Sequence, residues 1–103
     1  MTQIKGTLKH GLKVGEGAAQ KVYKDYILRP AGTSDIFDAE EVAPVSRTLS
    51  YRGALLGRQL VKLGELSGPI DIAIIRKLHP EDFYQLVEEM KKVDDMGEAA
   101  SGD

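Results

Sequence analysis

The chain has 103 residues, no cysteine and a formal net charge of −2, with 42% hydrophobic and 29% charged residues. That length fits one domain, and the balance is that of a globular chain rather than a disordered one. Without thiols there is no disulfide framework or thiolate metal site, and two histidines are a poor basis for a zinc centre.

The N-terminus, "MTQIKGTLKHGLKV", lacks the apolar run of a signal peptide, and no stretch approaches the roughly 20 apolar residues of a spanning helix. A soluble intracellular protein is the expectation. From Ile4 to Val14 the chain alternates: Ile4, Leu8, Leu12 and Val14 share one parity, and Lys5, Thr7, Lys9 and Lys13 the other. Period two predicts a half-buried strand, with lysines that discourage edge pairing between molecules. The glycine-rich turn "GEGAAQ" leads to "KVYKDYILR", rich in residues that suit a pleated surface. Residues 3–29 therefore read as an antiparallel hairpin.

Pro30 cannot donate to a ladder and ends the second strand. Thr33, Ser34 or Asp35 can cap a short helix through Ala43, with Asp35 and Asp38 near its positive end, and Pro44 closes it. Leu49 to Leu63 is the clearest helix, with Leu49, Leu56, Leu60 and Leu63 on one stripe and Gly64 as its stop. "IDIAIIRKL" (70–78) suits strand or helix; Pro69 at a first helical position and Asp71 in the first turn favour helix. In "HPEDFYQLVEEMKKV", His79 stands at the N-cap and Pro80 at N1. Phe83, Leu86, Val87, Met90 and Val93 form its stripe, and Lys91 and Lys92 lie at its C-terminal end. The acidic remainder, 94–103, reads as a flexible tail. The expected fold is α+β: one domain over 1–93, a hairpin followed by three to four helices over 34–93.

No motif in the chain carries catalytic or cofactor chemistry. Gly15 and Gly17 begin a GxG, but Gln20 replaces the third glycine and a strand, not a helix, follows. His10 has the parity of Leu8 and Leu12 and reads as a half-buried packing residue. His79 reads as a cap. Neither has a partner by motif, and one imidazole is not a convergent site. Ser34 and Ser46 lack the G-x-S-x-G setting, and Asp38, Glu40 and Glu41 lack calcium-loop spacing. No enzyme, metal or cofactor is expected.

Charge falls in blocks. Residues 1–29 carry six bases and two acids, 30–45 four acids and no base, and 46–63 Arg47, Arg52, Arg58 and Lys62 with no acid. Such blocks point to partner surfaces or solvated faces. On a helical wheel Arg47, Arg58 and Lys62 lie opposite the leucine stripe, with Tyr51, Leu55 and Val61 among them. Apolar groups set among cations suit an amphipathic partner helix, which makes Tyr51, Leu55, Arg58, Val61 and Lys62 the candidate partner-binding residues. The acidic balance and the lack of a recognition motif argue against nucleic acid.

The order of these segments resembles the tail assembly chaperones of Mu-like contractile-tailed bacteriophages and prophages. The resemblance covers roughly residues 7–90. It rests on "LKHGLKV", "YILRPAGTSDIFDAEE", "GALLGRQLVKLGEL" and "GPIDIAIIRKLHPEDFYQLVEEM". The Leu-Arg-Pro at 28–30 with the Asp-rich run after it is the most specific piece. Leu78-x-Pro-Glu-Asp-Phe is second, with His79 where a small hydroxyl cap is expected.

The resemblance implies a non-enzymatic protein of the bacterial host cytoplasm. It would bind the long, helical tape measure protein and keep it soluble until tail tube protein assembles around it. It would be absent from the finished virion. A frameshifted longer form would recruit the tube protein, this chain being the short form. Cofactors, nucleic acid and membranes have no place in this reading, and the oligomeric state, a homo-oligomer included, stays open. The other reading of the same features is a small structural or regulatory interaction module, either a virion component or a toxin–antitoxin partner.

Overall fold

The computed structural model describes residues 2–101. The elements run β1 (Ile4–Val14), a 3-10 turn (Gly17–Ala19), β2 (Lys21–Leu28), α1 (Thr33–Val42), α2 (Thr48–Gln59), β3 (Leu60–Leu63), β4 (Leu66–Ser67), α3 (Ile72–Ile75) and α4 (Pro80–Ser101). The expected α+β arrangement, hairpin first and helices after, is the observed one. The sheet, however, has four strands in the order β1-β2-β3-β4, each neighbour pair antiparallel.

The hairpin contains a wide bulge that strict alternation does not anticipate. Between the pairs Thr7↔Asp25 and Leu12↔Tyr23, residues 8–11 of β1 stand opposite Lys24 alone. Gly11 permits this: its φ is +91°, and a Cβ there would lie 2.6 Å from Val22 Cγ1. The backbone N–H groups of His10 and Gly11 instead donate to Asp82 at 3.1 and 2.8 Å. Asp82, in the first turn of α4, is fully buried, so one carboxylate pins the bulge to the helix start. Leu8 and Leu12 keep their shared parity across the bulge and both point into the core.

The helix expected over 49–63 stops at Gln59, and its last turn is strand β3. The reason is an exchange of hydrogen bonds with the end of β2, one from the backbone and one from the Gln59 side chain. Arg29 N donates to Gln59 O at 3.0 Å, and Gln59 Nε2 donates to Arg29 O at 3.0 Å. The chain is thereby aligned with β2, and Leu60 and Leu63 pair with Leu28 and Tyr26. Gly64 is not a helix stop but the turn between β3 and β4, where its φ of +59° is needed and the Tyr23 ring occupies the space of a side chain. Leu49, counted in the leucine stripe, is 56% exposed, because the first turns of α2 project beyond the core.

Over 70–78 the helix is only one turn, Ile72–Ile75. Asp71 is its N-cap, accepting from Ala73 N at 2.7 Å, and Pro69 lies outside it. For α4 the expected start holds: His79 Nδ1 accepts from Glu81 N at 3.1 Å, and Pro80 follows as the first helical residue. The helix does not end at Val93; it runs to Ser101, so most of the supposed tail is helical and Lys91 and Lys92 sit within the helix. Residues 102–103 of that tail lie outside the described residues. The core joins Leu8, Leu12, Tyr26, Leu28, Leu60 and Leu63 of the sheet to Leu56, Leu86, Met90 and Val93 of the helices.

Candidate interaction surface

The acidic joint after β2 is organised by one buried carboxylate. Gly32 is the N-cap of α1, and Asp35 reaches back to accept from Gly32 N at 2.8 Å. Capping therefore comes from the third helical residue and not from a Thr33, Ser34 or Asp35 N-cap. Asp35 also takes a two-pronged contact from Arg29, at 2.6 and 3.0 Å, and lies 3.5 Å from Arg58 Nε. The Arg29 hydrogen bonds, helped by the Gly32 N–H, outweigh burial and hold the Asp35 carboxyl at about 2. Asp94 closes the cluster by accepting from Ala31 N at 2.9 Å and Gln59 Nε2 at 3.1 Å. The joint is thus a lock between the sheet, α1, α2 and α4.

That lock divides the sequence-derived binding face. Arg58 serves the joint, its Nη2 lying 3.2 Å from Asp38, so it is not a free cation for a partner. Val61 and Lys62 are on β3, and Lys62 lines the outer face of the sheet with Lys5, Lys21 and Lys24. Only Tyr51 and Leu55 remain together. They share a hollow of about 310 Å³ between α2 and α4 with Val45, Arg52, Val87 and Met90.

A second hollow, of about 300 Å³, lies on the other flank of α2. Leu49 and Gly53 of α2, Ile72 and Ile75 of α3, and Phe83 and Tyr84 of α4 line it. Leu49 and Tyr84 remain 56% and 57% exposed at its rim. The sequence hid this hollow because it gathers three segments that are distant along the chain. Leu49 was assigned to the core stripe and Tyr84 stood outside any stripe. The available signal was the pairing of Gly53 with an over-long apolar run at 70–78.

His10 and His79, unconnected by any motif, meet at the same end of the sheet. Their rings stack with centroids 3.7 Å apart and planes 14° apart. Glu81 supplies a partner that motif reading missed: His10 Nε2 is 3.2 Å from Oε1, and Lys9 Nζ 3.1 Å from Oε2. Lys9 first and His10 second hold the Glu81 carboxyl below its ordinary range. The two imidazoles and Glu81 are close enough to share a cation. Their hydrogen bonds disfavour it, since a neutral His79 that accepts at Nδ1 carries its proton on Nε2. The group instead fastens β1 to the start of α4.

No helix among the described residues is long and apolar enough to cross a membrane. No solved structure matches the chain. Two proteins of Escherichia phage Mu do. "Probable tail assembly protein gp41" is 34% identical over 90 residues, which cover 77% of this chain and 62% of that protein. "Probable tail assembly protein FS-gp41" is 34% identical over 90 residues, covering 77% of this chain and 48% of its own length. The chain thus spans less than two thirds of the first and about half of the second. A family model described as "Tail assembly protein gp41" matches residues 8–102, nearly the whole length, and the chain belongs to that family.

Proposed function

We propose that this protein is a phage tail assembly chaperone that binds the tape measure protein and keeps it soluble while the tail tube is built. The observation that carries the reading is the apolar, arginine-edged surface around the start of α2 in a chain of the tail assembly family. A long helical rod awaiting its tube exposes apolar stripes and self-associates. Many copies of a small domain along one rod would cover those stripes by avidity without tight single contacts. Nothing in this role requires catalysis, a cofactor, nucleic acid or a membrane, and the place of action would be the host cytoplasm.

The two Mu relatives match over the same number of residues at the same identity, yet the match covers a smaller share of FS-gp41. A short and an extended form sharing one domain fit that pattern. The extended form would recruit tail tube protein. Co-expression tests the core of the reading: the tape measure protein should move from the insoluble to the soluble fraction when this chain is present. Equal aggregation with and without it would sink the proposal. Recovery of the chain from purified particles would favour a virion component instead.

A further inference from the structure

From the geometry around α2 we infer that the trough formed by its first turns with α3 and α4 is a docking groove, and that its occupant is an amphipathic helix whose apolar stripe is flanked by acidic residues. The chaperone reading supplies the identity of that occupant; its chemistry comes from the groove. The two hollows beside α2 are continuous. Leu49 of one adjoins Thr48 of the other, and along α4 Tyr84 stands one turn from Val87. Leu49 and Tyr84, 56% and 57% exposed, rim one hollow and Val45, 54% exposed, the other, and nothing among the described residues covers them. Gly53 keeps the first of them open. A Cβ there would lie 3.7 Å from Ile75 and 3.9 Å from Ile72, which is ordinary contact, so packing does not demand glycine at this helical position.

Charge selects the occupant. The lining of the two hollows carries Arg76, Arg52, Lys91 and one acid, Asp94. Asp94 is already occupied with Ala31 N and Gln59 Nε2, and Lys91 is paired with Glu88 at 3.4 Å, which leaves Arg52 and Arg76 as the cations that matter. Arg52 and Arg76 make no ion pair among the described residues. A helix seated here would therefore meet cations at its flanks, and a helix-in-groove contact of this kind prefers acids beside the stripe. The other exposed apolar patch differs. Ile36 and Phe37 of α1 stand near Glu40 and Glu41 in a stretch without a base, and would reject the same partner.

Two synthetic helical peptides test the groove, sharing one leucine stripe flanked by glutamates in one and by lysines in the other. In fluorescence anisotropy with the full chain at low salt, the glutamate peptide should bind about tenfold more tightly or better. The pair Leu49→Asp and Tyr84→Asp should weaken it at least about tenfold, whereas Phe37→Asp should leave it unchanged. All three positions are exposed, and circular dichroism of each variant is the check on folding. Equal binding of the two peptides, binding of neither, or equal damage from Phe37→Asp would overturn the groove. Loss of the groove with tape measure protein still kept soluble would leave the chaperone reading standing. Groove binding intact with no solubilisation would do the reverse.

Discussion

Where the sheet meets α4, Leu8, Leu12, Leu28, Leu63, Leu86 and Val93 are at most 2% exposed. In the arm made by α1 and the first turns of α2, Phe37, Val42, Val45 and Leu49 are 65%, 57%, 54% and 56% exposed. Both regions are helical or sheet-like and both are rich in apolar residues. The difference is what they pack against. α1 rests on α2 through the small side chain of Ala39 and through Asp35, so its larger apolar residues have nowhere to go. Stability is concentrated in one region, and apolar surface is left available in the other.

Substitutions can break that contrast. Leu86→Ala, at a fully buried site, should cost about 2–5 kcal/mol in urea unfolding, whereas Phe37→Ala should cost less than about 0.5 kcal/mol. Similar costs at the two sites would erase the distinction between core and arm. Asp82→Ala should cost about 3 kcal/mol, because it strands two N–H groups of the β1 bulge. The same variant should speed hydrogen exchange at His10 and Gly11; unchanged exchange would show that the bulge does not depend on Asp82.

Asp35 sharpens the contrast by pH. Its carboxyl is held at about 2 in the folded chain against an ordinary 3.8. A depressed folded value stabilises fully above the unfolded value. That stability is lost as pH falls through 3.8 towards about 2, a change on the order of 2 kcal/mol. Asp35→Asn should lower stability at neutral pH and flatten this acid limb. A variant with the same acid limb as wild type would place the titration elsewhere. A small effect of the opposite sign is expected at Gly53→Ala, which should raise stability by no more than about 1 kcal/mol while narrowing the trough.

The sequence made the hairpin, the break at Pro30 and the start of α4 legible because each has a local cause: parity, a missing donor, an N-cap followed by proline. The stripe Phe83, Leu86, Val87, Met90 and Val93 was legible for the same reason; Phe83 is half-buried and the other four are buried. The end of α2 was not. Helical spacing from Leu56 through Leu60 to Leu63 reads as helix, since a regular strand would turn Leu60 and Leu63 to opposite faces. A register shift against β2 accompanies the burial of both, and the choice is made by Arg29 and Gln59, 30 residues apart. The expected binding face was drawn on that longer helix. With 61–63 turned into strand and Arg58 drawn to Asp35, only Tyr51 and Leu55 stayed together. The family, by contrast, was legible from segment order, which does not depend on where one helix ends.

The most direct measurement joins the arm to the proposed role. The tape measure protein is co-expressed with the wild-type chain and with the chain carrying Leu49→Asp and Tyr84→Asp, and its soluble fraction is compared at matched levels of the two chains. The wild-type chain should hold it in solution. The double variant, with an unchanged melting temperature, should leave it as insoluble as when it is expressed alone. Equal solubility with both chains would contradict the claim that the exposed apolar surface beside α2 is where this protein works.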